Sequence, residues 1–316
     1  MFNHIPVLLD EVIECLQIDK DGIYVDATLG GGGHSEKILE KLSEGKGFLV
    51  GIDQDEDAIK ATSERLKKYI DDKKLIVVKT NFENIVNVLD SLNIEKINGV
   101  LFDLGVSSFQ FDEGDRGFSY NHDASLDMRM DKENDLTCKT IVNTFSENEI
   151  YHIIRDYGED NFAKNIAKHI VKNREIKPIE TTFDLVQIIK EAIPAKLRWS
   201  EGKSKNPAKR TFQAFRIYIN RELEVIDKAL DSIVDRIDAH GRICVISFNS
   251  LEDKIVKDKF KLFENPCTCP KGYPCVCGKK SKGRLVYRKV IVASENEIEQ
   301  NRRSKPAKMR VFEKGE

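Results

Sequence analysis

The sequence predicts an α/β protein, a parallel sheet covered by helices on both faces and interrupted by a mainly helical insertion. Three observations predict it. Short apolar runs alternate with amphipathic stretches up to Leu104. Between about Phe109 and Asn206 no strand-length apolar run of comparable quality occurs, and from Thr211 the alternation resumes. Strand and helix in alternation build a parallel sheet, because each crossover helix must bury its apolar stripe on the sheet it leaves.

Taken in order, Pro6 to Leu16 carries Leu8, Leu9, Val12, Ile13 and Leu16 on one helical face. Gly22 to Asp26 is a first strand. Four glycines, Gly30 to Gly33, lead into a helix from His34 to Leu42. Gly47 to Asp53 is a second strand, followed by a helix over Glu56 to Ile70. Leu75-Ile-Val-Val78 is a third strand, Ile85 to Leu92 a helix, and Ile97 to Leu104 a fourth strand. Within the insertion, Glu147 to Tyr157 and Phe162 to Asn173 read as helices. A long helix is expected over Thr211 to Ala239, where Phe212, Phe215, Ile219, Leu223, Ile226, Leu230, Ile233 and Ile237 recur at steps of three and four. Gly241 to Phe248 is a fifth strand. Ser250-Leu-Glu-Asp253 reads as a capping box opening a helix. Leu285 to Ala293 is a late strand, and a basic tail closes the chain.

Composition narrows the class. The 316 residues carry 51 Lys and Arg against 53 Asp and Glu, and 40% are hydrophobic. That hydrophobic fraction excludes a disordered chain. No run approaches the ~18 apolar residues of a membrane-spanning helix. The start, Met1-Phe2-Asn3-His4 followed by Asp10 and Glu11, does not read as a secretion signal. With seven cysteines, an odd number, a disulfide framework is not expected, and a reducing cytoplasm is the expected location.

The segment Asp26-Ala-Thr-Leu-Gly30-Gly-Gly-Gly33-His34 lies between a strand and a helix. A dinucleotide site places its glycines directly after the strand and its pyrophosphate on the helix N-terminus. Here an acid ends the strand and the glycines come four residues later. Asp26 would crowd a pyrophosphate but suits a cofactor with a positive charge. S-adenosylmethionine has an ammonium, a sulfonium and no phosphate. Asp53 ends the second strand, where a carboxylate accepts ribose hydroxyls. Phe82 follows the third strand, where a flat apolar side chain covers an adenine. Asp103 ends the fourth. In open parallel sheets these positions converge on one crevice. A NAD-dependent oxidoreductase is disfavoured by Asp26 and by the glycine spacing.

Val25-Asp-Ala-Thr-Leu-Gly-Gly-Gly-Gly-His-Ser35 resembles the cofactor loop of the bacterial ribosomal RNA small subunit methyltransferase H family, also called MraW. The resemblance runs along almost the whole chain, in order. It includes His4-Ile-Pro-Val-Leu-Leu-Asp-Glu11, Asp103-Leu-Gly-Val-Ser-Ser108, Arg116-Gly-Phe-Ser119 and Leu126-Asp-Met-Arg-Met-Asp131. Tyr157-Gly-Glu159, Arg210-Thr-Phe-Gln-Ala214, Ser250-Leu-Glu-Asp253 and Asn301-Arg-Arg-Ser-Lys-Pro-Ala-Lys308 follow. It implies a Rossmann-like class I methyltransferase fold with a mainly α-helical inserted domain. The discontinuous methyltransferase domain would be 1–108 and 209–316, and the insertion 109–208 would recognise substrate. It implies S-adenosylmethionine as cofactor and the exocyclic N4 amine of one cytidine in 16S rRNA, at the decoding centre of the small ribosomal subunit, as acceptor. Neither DNA nor a membrane is an implied partner. Cofactor contacts would fall on Gly32, Gly33, His34, Asp53, Phe82, Asp103 and Gln110. A non-catalytic RNA-binding assembly factor retaining this fold is the alternative.

Methyl transfer needs the acceptor nitrogen in line with the departing sulfur, so positioning supplies much of the rate. The cytosine amine is a poor nucleophile, and an acceptor bonded to it stabilises the charge that forms. Asp103 is the candidate catalytic residue; its other role is cofactor binding alone, which the resemblance favours. His34 is read as a helix-start residue bonded to cofactor. The family usually has Ser-Phe-His-Ser before Leu-Glu-Asp, whereas this chain has Ser247-Phe-Asn249-Ser250, and Asn249 cannot be a base near neutral pH. Asp127, Arg129 and Asp131 read as internal ion pairs of an extended segment, with phosphate binding by Arg129 as the functional alternative.

Cys267-Thr-Cys269 and Cys275-Val-Cys277 form a compact group. Four thiolates are the donor set of tetrahedral zinc, but zinc knuckles separate paired cysteines by two residues or more. The spacing favours reduced thiols in an ordered loop, and no metal is assigned. Charge is unevenly placed. Asp103 to Asp160 has 14 acids and 5 bases, Lys196 to Arg216 has 7 bases and 1 acid, and Lys279 to Glu316 has 12 bases and 5 acids. The net charge of −2 therefore hides two basic stretches, containing Trp199 and Tyr287, that suit phosphate contact and base stacking.

Overall fold

The computed structural model describes residues 6–105, 116–194, 206–270, 272, 274 and 276–316. Gln110, Trp199 and Cys275 lie outside these. The chain divides into two compact units, Met1–Gly105 with Leu223–Glu316, and Val106–Glu222.

The first unit is built on a seven-stranded sheet. Its elements are α1 (Leu9–Leu16), β1 (Ile23–Asp26), α2 (Gly33–Leu42), β2 (Phe48–Asp53), α3 (Glu56–Arg65), α4 (Lys67–Asp71), β3 (Leu75–Lys79), α5 (Ile85–Ser91) and β4 (Ile97–Asp103). It resumes after the insertion, and its strands there are β5 (Ile237–Ser247), β6 (Gly283–Leu285) and β7 (Lys308–Lys314). The strand order is β3-β2-β1-β4-β5-β7-β6, with β1 to β5 parallel and β7 antiparallel to both neighbours. This is a Rossmann-like α/β sheet whose order reverses between β1 and β4.

Both faces of the sheet are buried, which is why its strands read as unbroken apolar runs. Alternate residues feed different cores. Val25, Val100, Phe102, Ile243 and Val245 enter one. Tyr24, Leu101, Cys244 and Ile246 enter the other. Helices α1 and α2 cover the second face through Val12, Leu16, Ile38 and Leu42.

The second unit holds five helices among the described residues, α6 (Cys138–Thr144), α7 (Glu147–Gly158), α8 (Ala163–Arg174), α9 (Thr182–Ala192) and α10 (Ala208–Ile219). Capping boxes start two of them, Ser146 with Glu149 at α7 and Thr181 with Asp184 at α9. Their apolar faces share one core that includes Leu126, Met128, Ile154, Ile170, Ile189 and Phe215. Helices α7 and α10 touch closely at Gly158, where a Cβ would stand 2.8 Å from the Arg210 carbonyl oxygen. Arg210 in turn donates to the Glu159 carbonyl at 2.9 Å. Two distant sequence blocks, Tyr157-Gly-Glu159 and Arg210-Thr-Phe-Gln-Ala214, are thus one packing contact.

Several elements differ from the sequence reading. The expected long helix is two, α10 and α11 (Glu222–Ile233). Arg221, at φ 51°, breaks it in the left-handed region. The single apolar stripe serves two cores. Phe212, Phe215 and Ile219 enter the second unit's core, while Ile226, Leu230, Ile233 and Ile237 enter the first unit's. Ile237, expected at a helix end, begins β5. The helix after β2 breaks at Leu66 into α3 and α4. The helix α12 (Ser250–Glu264) is capped by Asn249, not Ser250; Asn249 accepts from the Leu251 and Glu252 amides while Glu252 bonds back. The late strand shrinks to β6. After it comes a short helix, α13 (Glu295–Gln300), and then the tail supplies β7. In Lys308-Met-Arg-Val-Phe-Glu-Lys314 the cations obscured a strand that buries Met309, Val311 and Phe312.

Candidate functional site

The crevice at the β1/β4 reversal, outside the carboxyl ends of the strands, is where an open parallel sheet binds ligands. Three acids stand there, Asp26, Asp53 and Asp103, at the ends of β1, β2 and β4.

Asp26 is 1% exposed and belongs to the loop rather than to a ligand. One oxygen accepts from the Ser35 hydroxyl at 2.6 Å and the other from the Thr28 amide at 3.2 Å. Burial pushes its carboxyl up, against the opposing pull of Ser35. Its two bonds hold the turn after β1 and the start of α2. Asp53 also ties the loop, accepting from the Gly30 amide at 2.8 Å and the Asp55 amide at 2.9 Å. Burial pushes its carboxyl up to about 6.

The loop needs its glycines for packing. Gly32 has φ 74°, and a Cβ there would stand 2.6 Å from Thr62 Cγ2. Thr62 is fixed by its own bond to the Gly30 carbonyl, 2.6 Å. A Cβ on Gly33 would lie 2.3 Å from Pro6 Cγ. On Gly31 it would meet nothing within 4 Å, so that position faces open space. Helix α2 then starts with Gly32 as its cap and no side chain bonded to its first amides. Its N-terminus is a weakly positive end beside the acids.

His34 is buried, and its Nε2 donates to the Val7 carbonyl at 2.9 Å. A carbonyl only accepts, so Nε2 carries a proton in either charge state. Its Nδ1 faces Asp103 Oδ2 at 3.7 Å, an electrostatic contact longer than a hydrogen bond. The Pro6–Val7 segment thus packs on both Gly33 and His34, which explains a distinctive N-terminal block far from the loop in sequence.

Asp103 is the most unusual group. Its amide donates to Thr28 Oγ1 at 2.6 Å, fixing the strand end. Its Oδ1 is buried and has no hydrogen-bond partner among the described residues. Burial pushes its carboxyl up to about 6; His34 opposes that and Asp26 adds to it. A buried acceptor without a donor is costly, about 1–3 kcal/mol or more for a charged group, so its presence in a native protein calls for an explanation.

Phe82 follows β3 in a 3-10 turn, Phe82–Asn84. Its ring is half-buried and edge-on to Phe102 of β4, centroids 5.5 Å apart, so it reaches across the sheet end. Gly32, Gly33, His34, Asp53 and Asp103 are brought together at the crevice, with Phe82 beside them. Gln110 lies outside the described residues. Thr28, Ser35, Thr62 and Val7 were not anticipated; each acts through one polar atom that only the folded loop brings into reach. Asn249 is spent capping α12, and its side-chain amide also bonds Glu252.

In the second unit Arg129 is bidentate to Asp127, at 2.7 and 2.9 Å, and also donates to the Lys132 and Asn134 carbonyls. Burial raises the Asp127 carboxyl, but Arg129 outweighs it and holds it below the ordinary range. Arg129 is thus an internal brace. Five of the twelve tail cations between Lys279 and Glu316 are held in shared ion pairs. Arg242 and Arg284 share Glu313, Arg310 and Lys308 share Asp253, and Lys282 and Lys314 share Asp235.

The profile of the MraW methylase family matches residues 1–315. Among curated relatives, "Ribosomal RNA small subunit methyltransferase H 2" of Agathobacter rectalis is 57% identical over 317 residues, covering 100% of this chain and 99% of its own. "Ribosomal RNA small subunit methyltransferase H" of Lachnospira eligens is 55% identical over 314 residues, 99% of this chain and 98% of its own. The protein of that name from Clostridium botulinum is 52% identical, covering 99% of each. With a Rossmann-like sheet, an acid-lined crevice at its switch point and this likeness over the full length, the chain belongs to the MraW methylase family.

Proposed function

We propose that this protein transfers a methyl group from S-adenosylmethionine to the exocyclic N4 amine of a specific cytidine in 16S rRNA, at the decoding centre, in the cytoplasm. The observation that carries the cofactor assignment is the unpartnered Asp103 Oδ1 in a crevice of three carboxylates. A cationic ligand with N–H donors relieves it; a pyrophosphate would be repelled. The names of the relatives support ribosomal RNA as substrate.

When bound, S-adenosylmethionine supplies an electrophilic methyl on a sulfonium. The chain's residues bind and orient. Asp103 accepts from the ammonium. Asp53 keeps lone pairs for ribose hydroxyls while holding Gly30. Phe82 covers the adenine, and Gly31, whose position faces open space, lets the backbone come close. His34 keeps a proton on Nε2 and stands beside Asp103. Asp103 is read as a cofactor-binding residue; an Asp103→Asn variant that keeps cofactor affinity yet loses turnover by orders of magnitude would assign it to the cytosine amine instead.

The insertion, expected at 109–208, presents substrate. Helix α8 buries Ala163, Ile166, Ala167 and Ile170 and exposes Lys164, Lys168 and Lys172, spaced by one turn. These three have no ion-pair partner among the described residues, unlike Lys139 and Lys177, which pair with Glu180 and Asp184. Three cations in a row suit a phosphate backbone. The target base must leave its stack to reach the methyl group. Mass spectrometry of 16S rRNA from cells with and without the gene tests the proposal: a cytidine that loses an N4 methyl in the deletion supports it, and unchanged methylation defeats it.

A further inference from the structure

The cysteine group is not absorbed by this chemistry. Between Phe263 and Lys282 the chain leaves α12 and returns to the same point. The Lys282 amide donates to the Phe263 carbonyl at 2.8 Å, and the Leu285 amide donates to Glu264 Oε1 at 3.0 Å. Among its described residues none is buried, and Val276 is 87% exposed. A long loop without regular structure or a core needs another source of order.

Its sulfurs provide one. The Sγ atoms of Cys267, Cys269 and Cys277 all lie within 4.8 Å of one another. Cys267 and Cys277 Sγ are 3.9 Å apart, far beyond a disulfide bond. Four sulfurs about 2.3 Å from a tetrahedral zinc stand about 3.8 Å apart, so this separation is that of a tetrahedral thiolate site. Cys269 Sγ also accepts from the Val276 amide at 3.4 Å, which ties the two arms of the loop together. The one-residue spacing that argued against a metal is compatible with it in folded form, since residues i and i+2 of an extended segment share a face. Gly278 turns the chain directly after Cys277 at φ 66°.

We propose that Cys267, Cys269 and Cys277 hold a structural Zn²⁺ that pins this loop between α12 and β6. Each thiol gives up its proton on binding, and a fourth donor completes the tetrahedron. Thiolates select zinc over the hard cations, and tetrahedral sulfur sites favour zinc or iron–sulfur centres. The site lies apart from the cofactor crevice residues in function: its ligands order a loop, and S-adenosylmethionine binding does not report on it.

The test uses full-length protein, untagged and purified without chelators. Plasma mass spectrometry is expected to find about one zinc per chain. Titrating the thiols with an organomercurial is expected to release that zinc to a chromogenic chelator, which needs no variant. Cys267→Ser with Cys277→Ser is expected to lose the metal while still binding S-adenosylmethionine. Cobalt replacing zinc is expected to show a thiolate charge-transfer band of three or four sulfurs. Less than about 0.1 zinc per chain with no uptake on adding zinc, iron in its place, a cobalt spectrum of two or fewer thiolates, or wild-type zinc in the double variant would each overturn the proposal.

Discussion

Asp103→Asn should make the cofactor-free protein more stable and a worse binder. The carboxyl is pushed from 3.8 up to about 6 by burial. Two units correspond to about 3 kcal/mol of ionisation cost. A quarter of the side chain is exposed, 25%, so solvent screening brings this to about 1–2 kcal/mol. The sign follows from proton binding. The folded chain holds this proton more tightly than the unfolded chain does. Its stabilising contribution is therefore full below pH about 4 and lost as pH rises through about 6. Asparagine keeps the amide bond to Thr28, which is backbone, and removes the charge. At pH 8 the variant should melt about 2–6 °C higher than wild type without cofactor, and the gap should close at pH 4. Its S-adenosylmethionine affinity should fall about 10- to 150-fold, the worth of one hydrogen bond to a charged group. Wild-type affinity should weaken about tenfold per pH unit below 6 as the carboxylate is lost, and the variant should keep only the part of that slope that Asp53, also raised to about 6, contributes. Thermal melts at pH 4 to 8 and isothermal titration at pH 5 to 8 measure both. A variant that is no more stable than wild type at pH 8 and binds cofactor equally well would refute the reasoning.

Gly32→Ala forces an L-residue to φ 74° and drives its Cβ against Thr62; urea denaturation should show a loss of about 2 kcal/mol or more, with weaker cofactor binding, and an unchanged midpoint would contradict the packing. Replacing Lys164, Lys168 and Lys172 by Ala should leave cofactor affinity alone and lower the salt dependence of binding to a 16S rRNA fragment, with the log–log slope smaller by about 2 for three single-strand phosphate contacts. Fluorescence anisotropy over a KCl series reads it, and an unaltered slope removes α8 from the RNA surface. Glu313→Ala strands the buried Arg242, whose side chain is 10% exposed; the expected destabilisation is about 3–5 kcal/mol, seen in chemical denaturation, whereas a loss below about 0.5 kcal/mol would mean that the pair is solvated.

The crevice was legible because its parts are local. Each acid ends a strand, the glycines follow the first strand, and strand order in such a sheet places those ends together. What each acid does was less legible. Asp26 and Asp53 look equivalent to Asp103 in sequence, yet their oxygens are taken by Ser35, Thr28, Gly30 and Asp55. Of the three, only Asp103 keeps a buried oxygen without a hydrogen-bond partner among the described residues. The charge count of the tail misled in the same way. Lys308, Arg310 and Lys314 belong to β7, a strand paired on both sides, with acids waiting for them, so counting cations overstated the surface available to RNA. The stripe from Phe212 to Ile237 obeyed helical spacing throughout, and nothing in that spacing announced the left-handed Arg221.

By itself the sequence determined the α/β alternation and the strand-end acids, because periodicity and turn chemistry act over a few residues. Only the tertiary structure decided which carboxylate stays unpaired, which cations are free, and whether cysteines spaced too closely for a knuckle converge. Those outcomes depend on partners far apart in the chain, and pairing across such distances is settled by packing rather than by spacing.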